Sequence, residues 1–305
     1  MMELPFFDFT LLPNALQGGL VALLGAAIGS FLNVCVSRWP LGQSVVWKRS
    51  HCRSCQETIA WYQNIPLMSY WVLKGKCARC EEPFSQRYFW VEAFCAVAFF
   101  AIWAWMPMRW VLPGWILLSL SLVASLIDLE TFTLPNIVLA GGALLGLLVS
   151  YQFPQLHGIA DPLQSLVHAL KVSLMATGAF LWFGFMMELL FKKPCFGLGD
   201  AFWIGVLALF TGPWGAVCAV FGGAILGTLF IGIAWILERT LGVQVGPRVQ
   251  LKDLVEAEST VEPQEDVPLG VGVAIPFGPW LALGANVYFW FFQARHEVFL
   301  QMLFR

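Results

Sequence analysis

Charge is what this sequence has least of. Only 12% of its 305 residues are Asp, Glu, Lys or Arg, against 59% apolar, where an ordinary soluble domain carries about 25% charge. Too few charges remain to coat two water-soluble domains of this length. Neither sign is in excess: the net charge is -2 and the isoelectric point is near 6.1. A basic surface for nucleic acid is therefore lacking, and nucleic acid is excluded as a partner. Disorder is excluded from the other direction, because a chain with 15 Trp and 26 Phe cannot stay solvated. No Gly-rich nucleotide fingerprint, internal repeat or low-complexity tract is present. What remains is an integral membrane protein whose first partner is the lipid bilayer.

A helix crosses a bilayer with roughly 20 apolar residues. Stretches of that kind run at about Leu16–Val36, Trp90–Met106, Val111–Ile127, Pro135–Tyr151, Ser165–Phe191, Leu198–Gly212, Trp214–Leu237 and Val271–Phe292. The sequence thus predicts an all-α polytopic membrane protein of about eight transmembrane helices. Thr211-Gly212-Pro213 cuts the sixth stretch short. The first is too long for a cleavable signal peptide, and no Lys or Arg precedes it. Eight of the 17 basic residues fall between Arg38 and Trp90, and alternation through the spans places 13 on that side and four elsewhere. Basic loops stay inside, so this side is cytoplasmic and both termini face outward. The expected segments are 1–37, the N-terminus and first helix; 38–90, a cytoplasmic module; 91–237, the membrane core; 238–270, a cytoplasmic loop; and 271–305, the last helix and C-terminus. The second loop carries seven acidic against three basic residues and reads as a polar linker.

Four of the eight cysteines form Cys52-x-x-Cys55 and Cys77-x-x-Cys80 within the first loop. Each turn offers two thiolates to one ion, and two turns close a tetrahedral Zn²⁺ shell. The cytoplasm is reducing, which disfavours disulfides. A loop between two spans also has little core of its own, and a metal staple gives it shape. Four thiolates leave no open coordination position, so the zinc is structural rather than catalytic.

An ionisable residue beside a membrane span is a functional candidate by default. Asp128 closes the third span and Asp200 opens the sixth, which puts both carboxylates at the inner face. Two carboxylates that approach each other share a proton, since like charges a few ångströms apart do not both ionise cheaply. One member then activates water while the other protonates a substrate carbonyl. Opposite helix ends assign the ionised role to Asp200 and the shared proton to Asp128. Gly197 and Gly199 in Phe196-Gly197-Leu198-Gly199-Asp200 clear side chains from the approach, so that an extended peptide backbone can come close. Glu92, at the inner end of the second span, is a further candidate, with an interfacial anchor as the competing reading.

These residues stand in a longer ordered series. Gly29-Ser30-Phe31-Leu32-Asn33-Val34 is followed by Arg38-Trp39-Pro40, Ser50-His51-Cys52-Arg53-Ser54-Cys55, Trp61-Tyr62-Gln63-Asn64-Ile65-Pro66-Leu67, Lys74-Gly75-Lys76-Cys77-Ala78-Arg79-Cys80 and Arg87-Tyr88 with Val91-Glu92. Asp128 with Leu134-Pro135-Asn136, then Gly197-Leu198-Gly199-Asp200, then Ile275-Pro276-Phe277-Gly278-Pro279 complete it. The series resembles the type 4 prepilin peptidases of bacteria, aspartic proteases of the Gly-x-Gly-Asp class, over nearly the whole chain. The resemblance implies cleavage of type IV prepilins and type II secretion pseudopilins after a glycine, at the cytoplasmic face of the bacterial inner membrane, with periplasmic termini. It also implies N-methylation of the new N-terminus with S-adenosylmethionine, for which Glu92 is a candidate to hold the methyl donor or the amine. On this resemblance Asp128 and Asp200 are the catalytic pair, and Cys52, Cys55, Cys77 and Cys80 the zinc ligands. The chain departs from the family's pattern after Asp200, where Ala201-Phe202-Trp203 stands in place of a segment containing Lys, and at Gln43, Gln63 and Phe89. The competing readings are a peptidase without methylation and a non-enzymatic membrane scaffold with a zinc-ribbon loop.

Overall fold

A computed structural model describes residues 13–47, 50–52, 54–192, 197–241, 249–250 and 273–293. The chain divides into two compact units, 1–111 and 112–305. The first holds helices α1 (Asn14–Arg38), α2 (Met68–Val72) and α3 (Arg87–Trp105). α4 (Met108–Thr131) begins at the boundary; the second unit continues with α5 (Asn136–Gln152), α6 (Pro162–Phe191), α7 (Leu198–Val217), α8 (Gly223–Leu241) and α9 (Gly278–Tyr288). One antiparallel strand pair, Val249–Gln250 with Val273–Ala274, is the extent of extended pairing among named strands in the described residues.

Five stretches are long and apolar enough to cross a membrane: Asn14–Leu41, Arg87–Trp105, Met108–Thr131, Pro162–Phe191 and the run Leu198–Leu241. α5 is a shorter apolar helix. The run from Leu198 is not one rod. Gly212 adopts φ 66 and ψ -168 before Pro213, which lacks the N–H a helix interior needs, so the break falls where the sequence interrupts its apolar stretch. The last stretch differs from expectation. It was expected to be helical from Val271, but α9 starts only at Gly278, because Pro276 pushes the residue before it out of the helical region. Of the expected cytoplasmic loop 238–270, residues 238–241 finish α8 and 249–250 form a strand; the remainder lies outside the described residues, as do 1–12 and 294–305 at the termini.

In the first unit α1 and α3 touch backbone to backbone. A Cβ on Gly25 would lie 2.5 Å from the Cys95 carbonyl oxygen, and one on Gly29 2.9 Å from the Glu92 Cα. The Gly25-x-x-x-Gly29 spacing puts both gaps on one face, the arrangement that lets apolar helices pack without a hydrophobic drive between them. In the second unit α7 is the central helix: Trp203, Leu207 and Phe210 are fully buried. Gly142 and Gly146 of α5 clear space for Val206 and Leu209 of α7. The C-terminal half of α6 instead exposes Trp182, Phe185, Leu189 and Phe191, surface that only lipid or another apolar body would cover.

Candidate active site

Asp128 sits in the last turn of α4. The helix ends when Phe132 turns to φ 54, and its N–H donates to the Asp128 carbonyl at 2.9 Å, a left-handed helix stop. The Asp128 side chain is only 5% exposed. Its Oδ2 accepts the backbone N–H of Gly278 at 2.9 Å. Gly278 is the first residue of α9, so its N–H belongs to the donors that no carbonyl within the helix can satisfy. A side chain would not fit there: a Cβ on Gly278 would lie 2.7 Å from the same Oδ2.

Asp200 is half-buried in the first turn of α7. Gly197 is the N-cap residue of that helix, and its N–H donates to the Asp200 carboxylate. A carboxylate three residues into a helix that reaches back to the cap N–H is half of a capping box. Asp128 lies close enough for its charge to act on Asp200. Each therefore receives one glycine N–H from the start of a helix, α9 for Asp128 and α7 for Asp200. The contrast expected from opposite helix ends is not what the structure shows: Asp128 ends α4 but its carboxylate faces the beginning of α9.

The two glycines before Asp200 differ. Gly197 is exposed, and the nearest atom to an added Cβ is the Asp200 Oδ2 at 3.7 Å. Gly199 is half-buried, and its missing side chain makes room for Leu134, 3.3 Å away. Only Gly197 thus has the open surroundings expected of a substrate approach. Gly278 stands in the Ile275-Pro276-Phe277-Gly278-Pro279 stretch, where residue type alone names no role for it. Its signal was a glycine followed by Pro279 at a helix start, where proline is favoured and no side chain is tolerated.

In the first unit the four cysteine sulfurs lie within 4.8 Å of one another. Cys52 Sγ is 3.7 Å from Cys80 Sγ and Cys55 Sγ 3.9 Å from Cys77 Sγ. Sulfurs placed tetrahedrally at about 2.3 Å from a zinc ion stand about 3.8 Å apart, so the donor set fits the ion. The two turns repeat each other bond for bond. Gln56 N–H donates to the Cys52 carbonyl and Glu81 N–H to the Cys77 carbonyl, each at 3.0 Å, and Gln56 and Glu81 share φ 58. His51 bridges Thr58 as Lys76 bridges Pro83. Beyond the shared Cys-x-x-Cys spacing, the repeat is one of turn geometry rather than residue identity. Amide N–H groups of Cys55 and Ser54 bring the Cys52 thiol down to about 6, and those of Cys80 and Arg79 lower Cys77. Cys55 is pushed up by loss of solvent, with Cys52 and Cys77 raising it further. Four sulfurs this close need a cation before all can be thiolates. Arg79 of the second turn pairs with Glu57 of the first.

Glu92 also belongs to the first unit, buried in α3. Its Oε2 accepts the Leu67 N–H at 2.8 Å. Among the described residues, the His/Cys/Asp/Glu group able to hold a metal is the cysteine set.

Comparison with known proteins meets this geometry at the same places. The family described as Bacterial Peptidase A24 N-terminal domain matches residues 23–106, and the Type IV leader peptidase family matches residues 115–232. A prepilin leader peptidase/N-methyltransferase of Myxococcus xanthus is 32% identical over 305 aligned positions, covering 86% of each chain. The type 4 prepilin-like proteins leader peptide-processing enzyme of Escherichia coli is 33% identical over 210, covering 62% of this chain and 75% of that one. A prepilin leader peptidase/N-methyltransferase of Pseudomonas putida is 28% identical over 297, covering 87% of each. No solved structure matches significantly. The chain belongs to the type IV leader peptidase family.

Proposed function

We propose that the protein is a membrane aspartic endopeptidase that cleaves type IV prepilins and pseudopilins after a glycine, and that it N-methylates the residue so exposed. The observation that carries the proteolytic half is the pair of interacting carboxylates, each held by one glycine N–H. That bond takes one acceptor site of each carboxylate, and the remaining sites are the ones we assign to substrate and water. With one proton between them, the ionised member takes a proton from water as its oxygen attacks the scissile carbonyl. The protonated member gives its proton to the carbonyl oxygen. Collapse of the tetrahedral intermediate returns a proton to the leaving amine, and the pair again shares one. Gly197, open on its outer side, is the approach we assign to substrate backbone.

The methylation half draws on the cysteine module, whose four sulfurs Cys52, Cys55, Cys77 and Cys80 would hold Zn²⁺ and give the segment a fixed shape. S-adenosylmethionine supplies an electrophilic methyl group when bound. Among the described residues no side-chain cluster marks its seat. The basic residues concentrated between Arg38 and Trp90 support an inner-membrane protein of eight crossings with this module, the aspartates and the acidic loop on the cytoplasmic side and both termini in the periplasm. The test is detergent-purified, zinc-loaded protein mixed with a prepilin, with the product read by mass spectrometry. The expected product has lost its leader and gained one methyl group. Intact prepilin after prolonged incubation overturns the proteolytic reading; cleaved, unmethylated product overturns the other.

A further inference from the structure

Of the side-chain-bearing residues at positive φ in the first unit, Gln56, Leu67, Lys74 and Glu81, Leu67 is the one singled out by its ψ. Leu67 has φ 62 and ψ -48, which is not the left-handed helical region, where ψ is positive. It is the centre of a three-residue turn in which the Met68 N–H donates to the Pro66 carbonyl at 2.7 Å. This positive-φ form of the γ-turn is the rare and strained one. Such conformations persist only where surrounding bonds over-determine them.

Those bonds come from the helix pair. The Leu67 N–H donates to Glu92 Oε2 at 2.8 Å, and the same carboxylate accepts the Ser30 hydroxyl of α1. Glu92 is held in place by the close α1–α3 contact at Gly29. A second tie lies nearby, where the Asn33 side-chain amide donates to the Tyr88 carbonyl at 3.2 Å. From Leu67 the chain enters α2 directly, and a continuous set of short bonds leads on toward Cys77. Leu73 N–H donates to Ser69, Gly75 to Tyr70 and Lys76 to Leu73, and the Phe84 N–H returns to the Gly75 carbonyl. The direction set at Leu67 is therefore passed to the second cysteine turn.

We infer that Glu92 is a positioning residue for methyl transfer: its carboxylate, shared between the Leu67 N–H and the Ser30 hydroxyl, locks the strained turn and so fixes the cysteine module on the α1–α3 pair. This rests on the methyltransferase reading above. Glu92 acts as an acceptor to backbone, so neither a methyl donor nor an amine has to touch it.

The experiment compares Glu92→Gln, Glu92→Leu and the double variant Glu92→Leu with Leu67→Gly, each as full-length zinc-loaded protein in detergent. Cleavage and methylation are measured on one prepilin, and zinc content is measured alongside. Gln keeps an acceptor oxygen for Leu67, so methylation should stay within about threefold of wild type. Leu removes it, and the methylation kcat should fall about tenfold or more, the scale of one lost buried hydrogen bond. Cleavage and zinc content should hold. Glycine at 67 adopts positive φ without a side-chain penalty, so the double variant should recover much of the lost methylation. Three results would overturn the inference: Gln as damaging as Leu, cleavage falling in step with methylation, or no recovery in the double variant. Hydrogen exchange at the Leu67 amide separates this inference from the reading beneath it. Should wild type cleave but never methylate, the methyltransferase reading fails. Faster exchange in Glu92→Leu would then still establish the tie, and unchanged exchange would refute it.

Discussion

The cysteine module and the aspartate pair are built by opposite means. Between residues 50 and 84 almost nothing described is buried beyond Cys52, Gly75 and Cys77, and the backbone turns through positive φ at Gln56, Leu67, Lys74, Gly75 and Glu81. A segment like that holds its shape through cross-links. The aspartates are set by helix termini inside a packed unit, where α7 buries Trp203, Leu207 and Phe210 completely. There the burial of apolar surface fixes the backbone, and the backbone N–H groups fix the acids. The first region offers a donor set that could hold an ion and the second is fixed by packing, so the proposed cleavage and methylation should be separable by experiment.

The largest expected separation comes from the acids. Asp128→Asn and Asp200→Asn each retain shape and hydrogen bonding to glycine but cannot exchange the proton. Cleavage should fall by at least the ~10²–10⁴-fold that a positioned general acid or base supplies. Methylation of a peptide supplied already without its leader should persist in both variants. Loss of both activities together would show that the two regions are not independent.

Metal removal probes the same contrast from the other side. Cys52→Ser with Cys77→Ser, or chelation of the wild type, should let protease cut within residues 50–84 and abolish methylation. The loss should exceed the ~10–100-fold that disturbing a group behind a metal ligand costs. Cleavage of prepilin should change little. Zinc content by atomic absorption, limited proteolysis and product mass read the three outcomes.

Gly278→Ala disturbs the acids without removing one. The added Cβ would sit 2.7 Å from Asp128 Oδ2, so the carboxylate or the start of α9 has to move by a few tenths of an ångström or more. A misplacement of about 1 Å at a reacting group costs on the order of 100-fold in rate. The drop should appear in cleavage kcat with KM nearly unchanged and methylation intact. A KM effect alone would place Gly278 in substrate binding instead.

What the sequence made legible follows the range of each interaction. The cysteine set was readable because Cys-x-x-Cys is local, and the Gly212 break because Gly-Pro is a local instruction. Asp128 and Asp200 were readable as chemistry, since an acid near a membrane span is costly. Their fixing was not, because the N–H that holds Asp128 comes from 150 residues away. The turn at Leu67 was hidden for a different reason: leucine carries no preference for positive φ, and Glu92 read equally as a ligand-holding acid or an interfacial anchor, because its backbone partner lies 25 residues away. Asp128 was likewise assigned the field of its own helix end, although another helix meets its side chain.

The smallest effect concerns stability alone, and it decides how the Gly278 result is read. Asp161 caps α6: its Oδ2 accepts the Gln164 N–H at 2.7 Å. Asp161→Ala removes that bond and should cost about 1 kcal/mol of stability, as loss of a helix cap does. The start of α6 stays tied by Ser165, whose hydroxyl donates to the Ser150 carbonyl at 2.8 Å, so the fold survives. This end of the second unit follows the C-terminus of α5, whereas Asp128 and Leu134 precede its N-terminus. Cleavage measured well below the unfolding temperature should therefore stay within about twofold of wild type. If it fell in proportion to the stability lost, any weakening of the second unit would slow cleavage, and the Gly278→Ala loss could be assigned to general loosening. A thermally weakened but fully active Asp161→Ala leaves the contact between Gly278 and Asp128 as the cause.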